Sequence, residues 1–78
     1  MALVTKFDEL GAGNRGRVHG EVVCTYATFE IEGRRYFQLD TYGSSDRAFP
    51  GKISQSFQVD REGARALKRL LDRSFPGI

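Results

Sequence analysis

Three tyrosines, Tyr26, Tyr36 and Tyr42, fall within stretches that alternate like β-strands, and cations flank two of them: Arg34 and Arg35 before Tyr36, Arg47 and Lys52 after Tyr42. Aromatic faces accept unstacked bases, worth about 1–3 kcal/mol per base, while Arg and Lys follow the phosphate backbone. Arg15 and Arg17 stand in a glycine-rich stretch and add two more charges for phosphate. Together these are the ingredients of a single-stranded nucleic-acid platform. The same residues also suit a plainer use, in which Tyr36 and Tyr42 form a cross-strand aromatic pair or line a subunit contact.

Other chemistries have weaker support. His19 is the single histidine and Cys24 the single cysteine, so neither a Ser/His/Asp nor a Cys/His constellation has what it needs in a glycine-rich loop. The pair is also too few for a structural zinc site, and no cofactor or metal is expected. Gly11, Gly13 and Gly16 match GxGxxG, but that motif works only between a buried strand and a helix within a βαβ unit. The residues after Gly16 are strand-like instead. The chain therefore reads as a non-enzymatic protein.

The whole is small and nearly balanced in charge. Seventy-eight residues allow one domain. Twelve Lys and Arg face ten Asp and Glu, for a net charge of +2. The distribution says more than the total: residues 1–33 are net acidic, residues 34–78 net basic, and most cations are Arg, which suits bidentate contacts to phosphate or carboxylate. A core this small is marginal alone. A single cysteine cannot form an intrachain disulfide, so a second copy of the chain is the expected supplement. No run of about 18 apolar residues suggests a membrane span, and no signal-peptide pattern opens the chain. A cytoplasmic protein with a free thiol is expected.

The elements that must position these residues follow from periodicity. Residues 1–20 read as a short N-terminal strand and a flexible basic Gly-rich loop. Residues 21–59 read as a sheet, with strands over 21–32, 35–42 and 52–59. A tight turn is expected at Gly33-Arg34, and a loop over 43–51. In the third strand Gln55 falls among Ile53, Phe57 and Val59, which suggests a bulge or a sheet end in solvent. Residues 60–75 read as an amphipathic helix capped by Asp60 and stopped by Pro76. Ala64, Leu67, Leu70, Leu71 and Ser74 point inward; Arg61, Arg65, Lys68, Arg69 and Arg73 point outward.

The expected architecture is α+β: a three- to four-stranded antiparallel sheet with one C-terminal helix packed on one face, in a homodimer. The helix is expected to cover Phe29, Ile31, Phe37, Leu39, Ile53, Phe57 and Val59. The other face is left with Tyr26, Arg34, Tyr36, Gln38, Asp40, Tyr42, Lys52, Ser54, Ser56 and Gln58.

From Arg35 to Leu71 the chain resembles the C-terminal domain of the transcriptional positive-cofactor-four family, small coactivators and bacterial relatives that bind single-stranded DNA. The likeness lies in a strand ending on an aromatic (Phe37 to Tyr42), a polar loop (Gly43 to Phe49), Pro50-Gly51-Lys52, a strand (Ile53 to Val59) and a helix (Asp60 to Phe75). It implies a twisted four-stranded antiparallel sheet, helices pairing in a homodimer, and basic, aromatic-bearing channels for single strands. Tyr42 would stack on a base, while Lys52 and Arg47 would meet phosphate. The chain departs from the pattern at Asp40-Thr41, where a basic residue is usual, and at Ile53-Ser54 after Pro-Gly-Lys.

The expected function is binding of single-stranded nucleic acid, DNA more than RNA, with little sequence preference. The expected nucleic-acid contacts are Arg34, Arg35, Tyr36, Tyr42, Arg47, Lys52, Arg15 and Arg17. The alternative is a protein-interaction module that uses the aromatic sheet face and the Arg-rich helix, with an acidic protein as partner.

Overall fold

A computed structural model describes residues 1–13, 16–43 and 52–78. The chain runs β1 (Ala2–Val4), β2 (Cys24–Ile31), β3 (Arg34–Tyr42), β4 (Ile53–Val59) and α1 (Arg61–Ser74). The strands form one sheet in the order β1-β4-β3-β2, so the class is α+β. The sheet is mixed, however, not antiparallel throughout. β2, β3 and β4 alternate in direction, but β1 runs parallel to β4, with Ala2 opposite Phe57 and Val4 opposite Val59. Strands linked by a hairpin must reverse, whereas residues 5–23 separate β1 from β2. That exceeds the dozen or so residues a same-direction crossover requires.

β2 and β3 join through Glu32 and Gly33, both left-handed with φ of 53° and 79°. This matches a type I′ turn, whose twist suits a two-residue hairpin. Ile31 therefore faces Arg34, and the turn lies one residue earlier than Gly33-Arg34. A two-residue loop also pairs odd-numbered residues of β2 with even-numbered residues of β3. Phe29 lies opposite Tyr36, and Tyr26 opposite Leu39.

This overturns the expected faces. Grouping Phe29 and Ile31 with Phe37 and Leu39 under the helix would require an odd number of loop residues. With two, every side chain of β2 changes face. Phe29 and Ile31 join Tyr36 on the helix-free side, and Tyr26 joins Phe37 on the helix side.

Glu32 is the costly member of the turn, because a left-handed non-glycine residue is strained by roughly 1 kcal/mol or more. Asn adopts this conformation more readily. Glu32→Asn should raise the thermal midpoint, by about 4–8 °C for each kcal/mol relieved in a chain of this size. Calorimetry showing no rise would place the strain elsewhere.

Between β3 and β4 the register shifts by one. Thr41 pairs with Gln55 but Tyr42 with Ile53, so Ser54 has no opposite number. The misfit at Gln55 is thus a local irregularity of the ladder. The shift carries Ile53 opposite Tyr42 and away from the set expected under the helix.

Asp60 caps the helix: its side chain accepts the Gly63 N–H at 2.8 Å. Glu62 complements the positive end of the helix. At the other end the Phe75 N–H donates to the Leu71 carbonyl at 2.9 Å, and Pro76 follows. The helix meets the sheet at Gly63, which is buried. A Cβ at Gly63 would lie 2.6 Å from the Val4 carbonyl oxygen and 3.2 Å from the Val59 Cβ. Only glycine lets the first turn approach β1 and β4 this closely.

Around this contact Val59 is 2% exposed, the one buried hydrophobic side chain among the described residues. Phe37, Leu39, Phe57, Leu67 and Leu70 are half-buried. Leu71 and Phe75 are 41% and 58% exposed, so the expected inward stripe is covered only in part. No helix of the described residues is long and apolar enough to cross a membrane.

Candidate nucleic-acid interface

β3 carries Arg34, Tyr36, Gln38, Asp40 and Tyr42 on the face opposite the helix, since residues two apart share a side. The Tyr36 ring stacks on Phe29 of β2, with centroids 5.7 Å apart and planes at 28°. Tyr42 is anchored at its tip, where its hydroxyl and the Thr25 Oγ1 share a hydrogen bond at 3.0 Å. Both rings are half-buried. Each is therefore held by β2 while part of its surface stays open.

The floor between the two tyrosines is polar and satisfied. Gln58 Nε2 donates to Gln38 Oε1 at 2.8 Å, and Gln38 Nε2 donates to both Asp40 oxygens at 3.1 Å. Ser56 Oγ donates to Asp40 Oδ1. The two strands are thus tied across the face by an amide–carboxylate–hydroxyl ladder in which Asp40 accepts throughout. Hydrogen bonds to a carboxylate are roughly twice as strong as neutral ones. The ladder therefore fixes the floor and also sets a negative charge in its centre.

The cations do not all gather here. Arg34 stands at the hairpin end of this face and is exposed. Lys52 is exposed just before β4, and Arg17 is exposed between β1 and β2. Arg15 and Arg47 lie outside the described residues, as do Pro50 and Gly51.

Arg35 is on the helix side, the reverse of Arg34. Its guanidinium meets Glu30 at 3.3 Å. There it lines a cleft of about 460 Å³, floored by Phe37, Val59 and Ala64 and edged by Arg61, Arg65 and Lys68. Arg65 also pairs with Glu62 at 3.2 Å. Tyr26 stacks on Phe37 on that same side, at 5.7 Å and 28°, and is 73% exposed. Tyr26 therefore leaves the helix-free platform, and Arg35 meets the cations of the helix.

Phe29 and Thr25 were not foreseen as supports for the tyrosines. The signal that locates them is the parity of the hairpin loop, which no period-two reading of β2 alone contains.

Comparison with known families, curated proteins and solved structures finds no match to this chain.

Proposed function

We propose that the protein is a homodimer that binds single-stranded nucleic acid, DNA in preference to RNA, with little sequence preference. It acts as a cytoplasmic, non-enzymatic accessory factor in transcription or DNA processing. The observation that carries this reading is the pair of braced rings, Tyr36 on Phe29 and Tyr42 on Thr25, on the face the helix leaves open. Rings fixed before binding lose little freedom when a base stacks on them. Stacking needs bases not already stacked in a duplex, and every base offers a π-face, hence a single strand and little preference. Arg34 lies two residues before Tyr36 on the same face, and Lys52, Arg15, Arg17 and Arg47 complete the proposed phosphate contacts. The preference for DNA rests on the family resemblance. Dimerisation is supported by the small core: among the described residues Val59 is the one buried hydrophobic side chain, and a chain this short gains most from a partner subunit.

A second reading draws on the cleft beside the helix. Arg35, Arg61, Arg65 and Lys68 around an apolar floor suit an acidic protein segment.

Titration of a labelled single-stranded oligonucleotide against wild type and Asp40→Asn, across salt, tests the proposal. Wild type should bind the single strand more tightly than the matching duplex. Log affinity should fall linearly with log salt, at about 0.7 per phosphate contacted. Removing the Asp40 charge should tighten binding about fivefold, the equivalent of about 1 kcal/mol for two charges 4 Å apart in water. Equal affinity for duplex, single strand and polyglutamate would reject the platform and favour the acidic-protein reading.

A further inference from the structure

The sheet has two very different edges. β1 closes one with three residues. β2 closes the other with eight, Cys24–Ile31. Soluble proteins blunt exposed edges with short strands, charges, prolines or bulges. β1 is blunted by its length. β2 has none of these devices: it contains no proline, its pairing with β3 runs from Cys24 to Ile31 without a register shift, and its one charged residue, Glu30, is already paired with Arg35. Among the described residues no strand covers it.

We infer that β2 pairs antiparallel with β2 of a second copy across a two-fold axis, joining the two sheets into one of eight strands. This deepens the proposed function and rests on it for the consequence at the nucleic-acid face. A second copy, rather than a foreign peptide, follows from what the strand presents. Tyr26 on one face of β2 and Ile31 on the other are 73% and 57% exposed. An identical strand beside β2 brings the same apolar side chains against both, and covers them in both copies at once. A strand paired antiparallel with itself also satisfies two-fold symmetry directly.

The turn dictates how the copies meet. In a type I′ turn the Ile31 carbonyl accepts the Arg34 N–H. Hydrogen-bonded and non-bonded pairs alternate along an antiparallel ladder. Odd-numbered residues of β2 therefore bond inward to β3, and Cys24, Tyr26, Thr28 and Glu30 direct their N–H and C=O outward. Even residues can hydrogen-bond only with even residues of the partner, and odd residues then stand opposite odd ones as non-bonded pairs. Even β2 residues share the helix side, so both helices end on one side of the joined sheet and both tyrosine platforms on the other. In registers centred on Ala27 or Thr28, Glu30 does not meet its own copy, avoiding a like-charge pair. The binding face is then one surface of double width, with the Phe29 and Tyr36 pairs nearest the axis.

Amide hydrogen exchange followed by NMR, together with sedimentation at several concentrations, tests this. In the dimer the amides of Tyr26, Thr28 and Glu30 should exchange at least tenfold more slowly than after dilution to monomer. Thr28→Pro removes an outward N–H without touching the β3 ladder, where edge prolines are tolerated. It should weaken self-association at least tenfold while leaving the circular dichroism unchanged. A dimer whose Tyr26, Thr28 and Glu30 amides exchange as fast as in the monomer, or one whose protection is confined to residues 67–74 of the helix, would overturn the edge pairing. So would a monomer at all concentrations.

The outcome for nucleic acid is separable. If the edge pairing holds, Thr28→Pro should keep the affinity for a strand spanning one platform and lose the added affinity for a strand twice as long. Dimerisation through β2 with no single-strand binding at all would instead leave the pairing standing and reject the proposed function.

Discussion

Replacing Tyr36 and Tyr42 together by alanine should lower affinity for a labelled single-stranded oligonucleotide by about thirtyfold or more. Each stacked base is worth about 1–3 kcal/mol, so losing two removes at least about 2 kcal/mol. The effect should persist at high salt, where phosphate contacts fade, because stacking releases no counterions. Tyr36 covers Phe29 and Tyr42 holds Thr25, so the alanine variant also loosens β2. A second variant, Tyr36→Leu with Tyr42→Leu, retains apolar bulk but offers no ring. It should fold like wild type and lose most of the same affinity. Equal weak binding of wild type and both variants at low salt would show that cations alone hold the strand, and the stacking mechanism would fail.

Gly63→Ala should destabilise the fold, although the same change gains about 1 kcal/mol in an ordinary helix interior. Here the added methyl would stand 2.6 Å from the Val4 carbonyl oxygen and 3.2 Å from the Val59 Cβ. The first of these is backbone and cannot swing aside. Either β1 leaves the sheet edge or the helix lifts from Val59, and overpacking of this kind costs about 1–3 kcal/mol. Thermal unfolding should report a midpoint lower by about 4–8 °C for each net kcal/mol lost. In a chain lacking residues 1–5 the carbonyl is gone, and the substitution should lose most of its cost. A stabilised full-length Gly63→Ala would show that the helix stands farther from β1 than these distances indicate.

Periodicity located the helix, its Asp60 cap and three of the strands, because each is a local pattern that tertiary contacts reinforce. Side-chain facing within β3 was equally legible, since Tyr36 and Tyr42 differ from Phe37 and Leu39 by strict alternation. Facing across the hairpin was not. Apolar residues of β2 are expected to join those of β3, yet loop length decides the parity, and a two-residue loop overrides the preference of Phe29 and Ile31 for the covered side. Among the described residues little core penalises the outcome: Val59 is the one buried hydrophobic side chain, the helix covers only part of one face, and neither side of β2 is deeply buried. β1 was legible as a short strand but not in its direction, which depends on a partner far along the chain. At the candidate site the residue types were visible and the bonding was not. Nothing in the spacing of Gln38, Asp40, Ser56 and Gln58 reveals a closed ladder until β3 and β4 are in register.

The parallel pairing of β1 with β4 has a consequence for how the chain folds. β2, β3, β4 and the helix are sequential neighbours whose contacts close short stretches of chain. Ala2 opposite Phe57 spans most of the molecule. Contacts of large sequence separation lose more loop entropy and form late. β1 should therefore dock last, onto a nearly complete sheet, and leave first when the protein breathes. In the interval the inner strand β4 is itself an open edge, and the Gly63 turn stands above it without its Val4 neighbour. A growing or partly unfolded chain thus offers two unpaired strands rather than one, and arrival of the first four residues removes the second.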